Sequence, residues 1–214
     1  MQTVLLTGFE PFDQDLINPS WEASRQLDGV RLSENVHIVA RRLPCAFATA
    51  GACLTRLIAE FDPVMVIATG LAPGRSDFSM ERVAINVNDA RIPDNLGAQP
   101  VDTPVVVGGP AAYFTTLPIK AMVKAVREAG IAASVSQTAG TFVCNQVFYL
   151  LQHALAGTAI RSGFIHVPPS LPEQVSGAAQ PSMALVTMVE GLRIALQTAW
   201  DTPVDIVQTG GQVS

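Results

Sequence analysis

Cys144 stands in the run Gly140-Thr141-Phe142-Val143-Cys144-Asn145-Gln146-Val147-Phe148-Tyr149. Gly140 and Thr141 interrupt the extended segment before them, and the residues that follow are helix-forming. The spacing therefore predicts a thiol in the first turn of a helix, at the C-terminal edge of a sheet. Backbone N–H groups without intrahelical partners, and the positive end of the helix dipole, would stabilise a thiolate there and lower its pKa. The same groups suit the oxyanion of a tetrahedral intermediate. A cysteine so placed is either a nucleophile or a small buried hydrophobe, and its neighbours decide which.

A thiol nucleophile needs a base that takes its proton and returns it to the leaving amine. The sequence holds three histidines, His37, His153 and His166. His37 alternates with Val36 and Ile38, as on the outer face of a strand, and His153 comes late in a helix. His166 ends the apolar run Gly163-Phe164-Ile165-His166-Val167 before Pro168-Pro169, where a parallel sheet brings strand ends and helix N-termini together. It is expected beside Cys144 although the two are 22 residues apart. Asp77, Glu81, Asp89 and Asp94 are all candidates for the acid that orients the imidazole, and spacing does not choose among them. Cys53 lies in the apolar stripe of its helix. Cys45 follows Pro44 where that helix starts; both read as core or interface residues, with Cys45 keeping some reactivity from the helix N-terminus.

Other chemistries find no support. Gly70-Leu71-Ala72-Pro73-Gly74-Arg75 follows a strand but matches neither phosphate-loop pattern. No two histidines are close, no C-x-x-C pair exists, and there is no G-x-S-x-G elbow, so neither a metal nor a cofactor is expected. Of the 214 residues 49% are hydrophobic and 14% charged, with a net charge of −5. Without a Lys/Arg block, such a chain is a poor partner for nucleic acid. The 32 residues Ala129–Ile160 carry no charge. Ser, Thr, Gln, Asn and Gly break that stretch, so no membrane span is expected. The first residues lack a basic n-region, and three cysteines are an odd number, which suits free thiols in the cytoplasm. The surplus of apolar residues over charged ones points to contacts between subunits.

These residues need a scaffold, and the pattern supplies one. Strands are expected at Thr3–Thr7, Val36–Leu43, Pro63–Gly70, Ala132–Ser136 and Gly163–Val167, with the third apolar on both faces. Helices are expected from Pro19 (with Ser20 as cap), over Ala46–Phe61, Ile119–Ala129 and Val143–Ala156, and from Ser182 to Trp200. Glu81 to Asp89 alternates as a half-exposed strand that Glu81 opens, and Pro93 to Pro118 reads mostly as loop. Strands alternating with helices imply an α/β fold: a three-layer sandwich with a mainly parallel twisted central sheet flanked by helices, as one domain over residues 1–214.

Four blocks carry a resemblance that covers essentially the whole chain. They are Leu5-Leu6-Thr7-Gly8-Phe9-Glu10-Pro11-Phe12 with Asn18-Pro19-Ser20-Trp21-Glu22-Ala23; Glu81-Arg82-Val83-Ala84-Ile85-Asn86 running into Asp89-Ala90-Arg91-Ile92-Pro93-Asp94-Asn95; Thr138-Ala139-Gly140-Thr141-Phe142-Val143-Cys144-Asn145; and Gly163-Phe164-Ile165-His166-Val167-Pro168. In these motifs and their order the chain resembles the pyroglutamyl peptidase I (pyrrolidone-carboxylate peptidase) family of cytoplasmic cysteine exopeptidases. The resemblance implies a Cys144–His166–Glu81 triad that removes N-terminal pyroglutamyl residues from peptides. It thereby selects Glu81 among the acids. It also implies that Arg91 helps at the oxyanion, that Phe9, Phe12, Phe142 and Val143 line the substrate pocket, and that the enzyme is a homotetramer. A pyroglutamyl ring is a neutral lactam, so an apolar slot with a few hydrogen-bonding groups suits it better than the carboxylates of an ordinary aminopeptidase. The chain departs from the family in Leu71, where Gln is general, in Pro73, in Asp13-Gln14 for Gly-Gly, in Gln137 for Tyr and in Gln146 for His. Leu71 keeps open a cysteine amidase acting on another lactam or acyl group. A catalytically silent binding module with a structural Cys144 is the remaining alternative.

Overall fold

The computed structural model describes residues 1–170 and 182–211. Its strands are β1 (Gln2–Phe9), β2 (Arg31–Ser33), β3 (Val36–Leu43), β4 (Met65–Leu71), β5 (Phe78–Glu81), β6 (Val83–Ile85), β7 (Ala112–Phe114), β8 (Ala133–Ser136) and β9 (Arg161–Val167). Its helices are α1 (Pro19–Arg25), α2 (Ala50–Phe61), α3 (Ile119–Glu128), α4 (Val143–Ala154) and α5 (Leu185–Asp201). Seven strands form one sheet in the order β2-β3-β1-β4-β9-β5-β8, and β6 and β7 form a separate antiparallel pair. Among the described residues no helix is long and apolar enough to cross a membrane.

Strand periodicity explains the three layers. Successive side chains point to opposite faces, and in β1 Val4 and Leu6 join one core cluster while Leu5 and Phe9 join the other. The first cluster packs Ala23 of α1, Leu27 from the turn that follows it, Met122 and Val126 of α3, and Leu192 and Leu196 of α5 against the sheet. The second packs Leu54 and Leu57 of α2 and Val147, Phe148 and Leu151 of α4. β4 is buried on both faces up to Leu71, as its unbroken apolar run requires.

The sheet is parallel from β3 to β9 and then changes direction. β9 and β5 are antiparallel, and β5 and β8 are parallel to each other. The expected half-exposed strand over Glu81–Asp89 is replaced by two shorter ones. All four residues of β5 are buried in the main sheet and Glu81 closes it rather than opening a strand, whereas β6 pairs with β7 outside that sheet. Two helix starts also differ from expectation. Asn18, not Ser20, caps α1: its Oδ1 accepts from the Ser20 N–H at 3.1 Å and the Ser20 hydroxyl at 2.8 Å. Residues 46–49 form a turn before α2 begins at Ala50, so Cys45 does not lie at a helix N-terminus.

Candidate active site

His166 sits on β9 between Gly70 of β4 and Ser79 of β5 in register. By strand parity His166 shares a face with Phe164, and Glu81 shares that face with Ser79; it is the face that α2 and α4 cover. The reversed direction of β5 therefore places the last side chain of β5 beside the imidazole. His166 Nδ1 lies 2.7 Å from Glu81 Oε1, with Glu81 0% and His166 4% exposed. Opposite a carboxylate, Nδ1 carries the proton and donates it, which leaves the Nε2 lone pair free to act as a base. The other histidines are occupied elsewhere: His37 Nδ1 faces the Gln2 carbonyl and His153 Nδ1 the Tyr113 hydroxyl.

Cys144 reaches the same place from α4. β8 runs antiparallel to β9, so the expected convergence of two parallel strand ends does not occur. Segment 137–142 instead carries the chain from the end of β8 to the N-terminus of α4. Asn145, fully buried, anchors that turn: its side-chain amide donates to the carbonyls of Ile85 and Val87 and its Oδ1 accepts from the Ile85 N–H, all at 2.9 to 3.0 Å. Thr141 pairs with Asp89, donating from its hydroxyl to the Asp89 carbonyl at 2.7 Å and accepting the Asp89 N–H on its own carbonyl at 3.0 Å. Cys144 Sγ then lies over Gly70, where a Cβ would approach it to 2.8 Å. Glycine is required at that position because the thiol occupies the space a side chain would take, directly beside His166 in the neighbouring strand.

Burial among apolar residues pushes the Cys144 thiol up, with Cys45 and Glu81 acting in the same direction; Arg75 and the cysteine's own backbone N–H pull it down. Helix-terminal stabilisation therefore does not prevail, contrary to the expectation of a lowered pKa, because desolvation penalises the thiolate more than a half-turn of N–H groups favours it. Cys45 is pushed up to about 12 by burial and by Glu10 and Asp94. It lines the cleft, and its burial disfavours the thiolate that reactivity would need.

A cleft of about 410 Å³ collects most of the expected residues. Phe9, Phe12, Phe142, Arg91, Cys144 and His166 all line it, together with Cys45, Leu71, Arg75 and Asp89. Phe142 packs between Phe12 and Phe47 with ring centroids 5.1 and 5.2 Å away. Phe9 is mostly core, 2% exposed. Val143 is fully buried in the core beneath the cleft rather than on its wall, because the first turn of α4 turns this side chain toward the sheet. The loops around the rim are tied to one another: Asn95 donates to Glu10 Oε1 and the Pro11 carbonyl, and Gln99 donates to the carbonyls of Ala90 and Arg91. No group of metal-ligating side chains occurs among the described residues. Sequence reasoning missed Arg75, which reaches Glu81 Oε1 at 2.7 Å; its only signal was a place in the charge-rich segment 75–94.

A thiol and a carboxylate-bound imidazole on one apolar cleft of a three-layer α/β scaffold have the make-up of a cysteine hydrolase. The profile of the family described as Pyroglutamyl peptidase matches residues 2–202. A pyrrolidone-carboxylate peptidase of Pseudomonas fluorescens is 78% identical over 214 residues, covering all of both chains, and one of Cupriavidus taiwanensis is 60% identical over 218 residues, again covering both. Among solved structures, the pyroglutamyl peptidase I from Bacillus amyloliquefaciens superposes with a TM-score of 0.93 at 45% identity, over 97% of this chain and 99% of that one. The pyrrolidone carboxyl peptidase from Thermococcus litoralis gives 0.89 at 38% identity, over 94% of each. The chain belongs to the pyroglutamyl peptidase family.

Proposed function

We propose that the protein is a cysteine exopeptidase that removes N-terminal pyroglutamyl residues from peptides, with Cys144 as nucleophile, His166 as acid–base and Glu81 as its orienting partner. The observation that carries this reading is the buried 2.7 Å contact between His166 Nδ1 and Glu81 Oε1 in a strand beside the cysteine of an apolar cleft. Burial disfavours the free thiolate, and in this reading the proton leaves as Sγ attacks: His166 Nε2 accepts it while sulfur bonds to the carbonyl carbon of the pyroglutamyl residue. The oxyanion that forms is held by N–H groups at the start of α4 and by Arg91. As the intermediate collapses, the C–N bond breaks and the imidazolium protonates the departing amine. A water molecule, deprotonated by His166, then attacks the thioester, releasing pyroglutamate and returning the proton to sulfur.

Phe9, Phe12 and Phe142 form the apolar wall for the lactam ring. Relatives named pyrrolidone-carboxylate peptidase, identical at up to 78% of positions over the full chain, support the substrate class. The enzyme acts as one domain in the cytoplasm and assembles as a homotetramer, a reading in keeping with exposed Leu16, Val107 and Phe114.

Hydrolysis of a pyroglutamyl amide, compared with prolyl, glutamyl and acyl-blocked amides, is the test. The expected result is release from the pyroglutamyl compound alone, with activity lost in Cys144→Ser and first alkylation at Cys144. Release from other lactam or acyl amides in preference would establish the amidase reading prompted by Leu71, and full activity in Cys144→Ser would overturn the mechanism.

A further inference from the structure

We propose that Arg75 is a positioning residue for the reaction, holding Glu81 in place for His166 and tying that carboxylate to the segment that delivers the nucleophile; this rests on the triad proposed above. Arg75 Nη1 donates to Glu81 Oε1 at 2.7 Å, the same oxygen that accepts from His166 Nδ1 at 2.7 Å. Glu81 Oε2 is buried without a hydrogen-bond partner. The carboxylate is therefore fixed through one oxygen by two donors, and removing either leaves a fully buried carboxylate with a single anchor. A buried charge that loses a partner moves or becomes neutral, and either response degrades the imidazole's orientation.

The guanidinium also reaches the end of β8 and the loop that leads from it to α4. Nη1 donates to Ser136 Oγ at 3.3 Å and Nη2 to the Thr138 carbonyl at 3.1 Å, while the Ser136 hydroxyl donates to the same carbonyl at 3.1 Å. Six residues after Thr138 comes Cys144. Arg75 thus hydrogen-bonds both to the acid and to the segment that leads to the thiol. The segment Gly70–Arg75, which matched no phosphate-binding pattern, leaves the end of β4 for this contact: Gly74, at φ +84°, closes a turn in which the Arg75 N–H donates to the Ala72 carbonyl at 3.3 Å and the side chain turns back toward β5. A planar five-donor group suits a task with three acceptors in different directions; a lysine ammonium has the charge without the fork.

The titratable and charged groups around Glu81 are Arg75 from the β4–β5 loop, His166 from β9 and Cys144 from α4. Arg75 favours the Cys144 thiolate, so removing its positive charge leaves the thiol harder to ionise and moves activity to higher pH. The experiment measures kcat, KM and their pH profiles on a pyroglutamyl amide for Arg75→Gln and Arg75→Lys, with the pH dependence of Cys144 alkylation by iodoacetamide as a readout free of substrate. In Arg75→Gln, kcat should fall about 10- to 100-fold with KM within about 3-fold of the parent. The acid limb and the alkylation profile should both move up by roughly half to one pH unit, a shift reduced by the side chain's partial exposure. Arg75→Lys should return the profiles to their original position while recovering only part of kcat. Unmoved profiles in Arg75→Gln, or a raised KM with kcat intact, would overturn the proposal, the latter because it marks a direct substrate contact. If Arg75→Gln does not fold, Arg75→Lys decides: a full return of kcat or a shifted profile refutes the role. An unmodified enzyme without pyroglutamyl hydrolysis would instead refute the triad's proposed reaction, so the two failures are distinct.

Discussion

Glu81 and His166 occupy adjacent strands of the central sheet, whereas Phe12, Phe142 and Arg91 stand on loops that are tied mainly to one another. The strand-borne pair is 0% and 4% exposed and joined at 2.7 Å. Phe12 and Phe142 are only half-buried, and Arg91 is exposed. Chemistry needs atoms held to within a few tenths of an ångström, which a hydrogen-bonded sheet provides. Recognition of a neutral ring needs area and shape, which loops supply while tolerating small shifts. Cys144 spans the two regimes: its thiol rests on the strand glycine Gly70, but its helix is delivered by a loop.

This division has consequences that can be measured. The largest effect is expected on the strand side. Glu81→Gln keeps the shape but no longer favours the correct tautomer or the imidazolium, so kcat on a pyroglutamyl amide should fall on the order of 10³-fold with KM little changed. A fall confined to KM would show that the carboxylate serves binding. On the loop side, Phe142→Ala removes two ring contacts and part of the apolar wall. Steady-state kinetics should show kcat/KM reduced by about 10-fold, mostly through KM. A kcat loss as large as that of Glu81→Gln would erase the distinction between the two sides.

The smallest effect concerns the wall between them. Burial pushes the Cys45 thiol from its ordinary value near 9 up to about 12 in the folded chain. Its contribution to stability is therefore complete below pH about 9 and is lost as pH rises from there toward 12, because only the unfolded chain can ionise it easily. Under reducing conditions, the urea midpoint should fall more steeply between pH 8.5 and 10.5 for the parent protein than for Cys45→Ala, the chosen pHs bracketing roughly the ordinary thiol range. Equal slopes would mean that the Cys45 thiol is not desolvated and that the wall is wet.

Much of this was legible from residue order alone. The alternation of apolar runs and amphipathic segments specifies layers, because periods of 2 and 3.6 report which faces are buried. The unbroken apolar run of β4 marks a strand covered on both sides. Glycine and threonine before a helix-forming stretch place Cys144 at a helix start, and motifs shared with the family single out Glu81. Only the tertiary structure decided that β5 enters the sheet between β9 and β8 against the direction of β9, which is what brings Glu81 to His166. Periodicity encodes faces, not strand order or direction. Only the structure, likewise, turned Val143 into the core, moved the start of α2 beyond Cys45, and set burial above the helix terminus in the ionisation of Cys144. Desolvation and a contact such as that of Arg75 with Glu81 belong to what surrounds a residue in space, and no spacing along the chain records them.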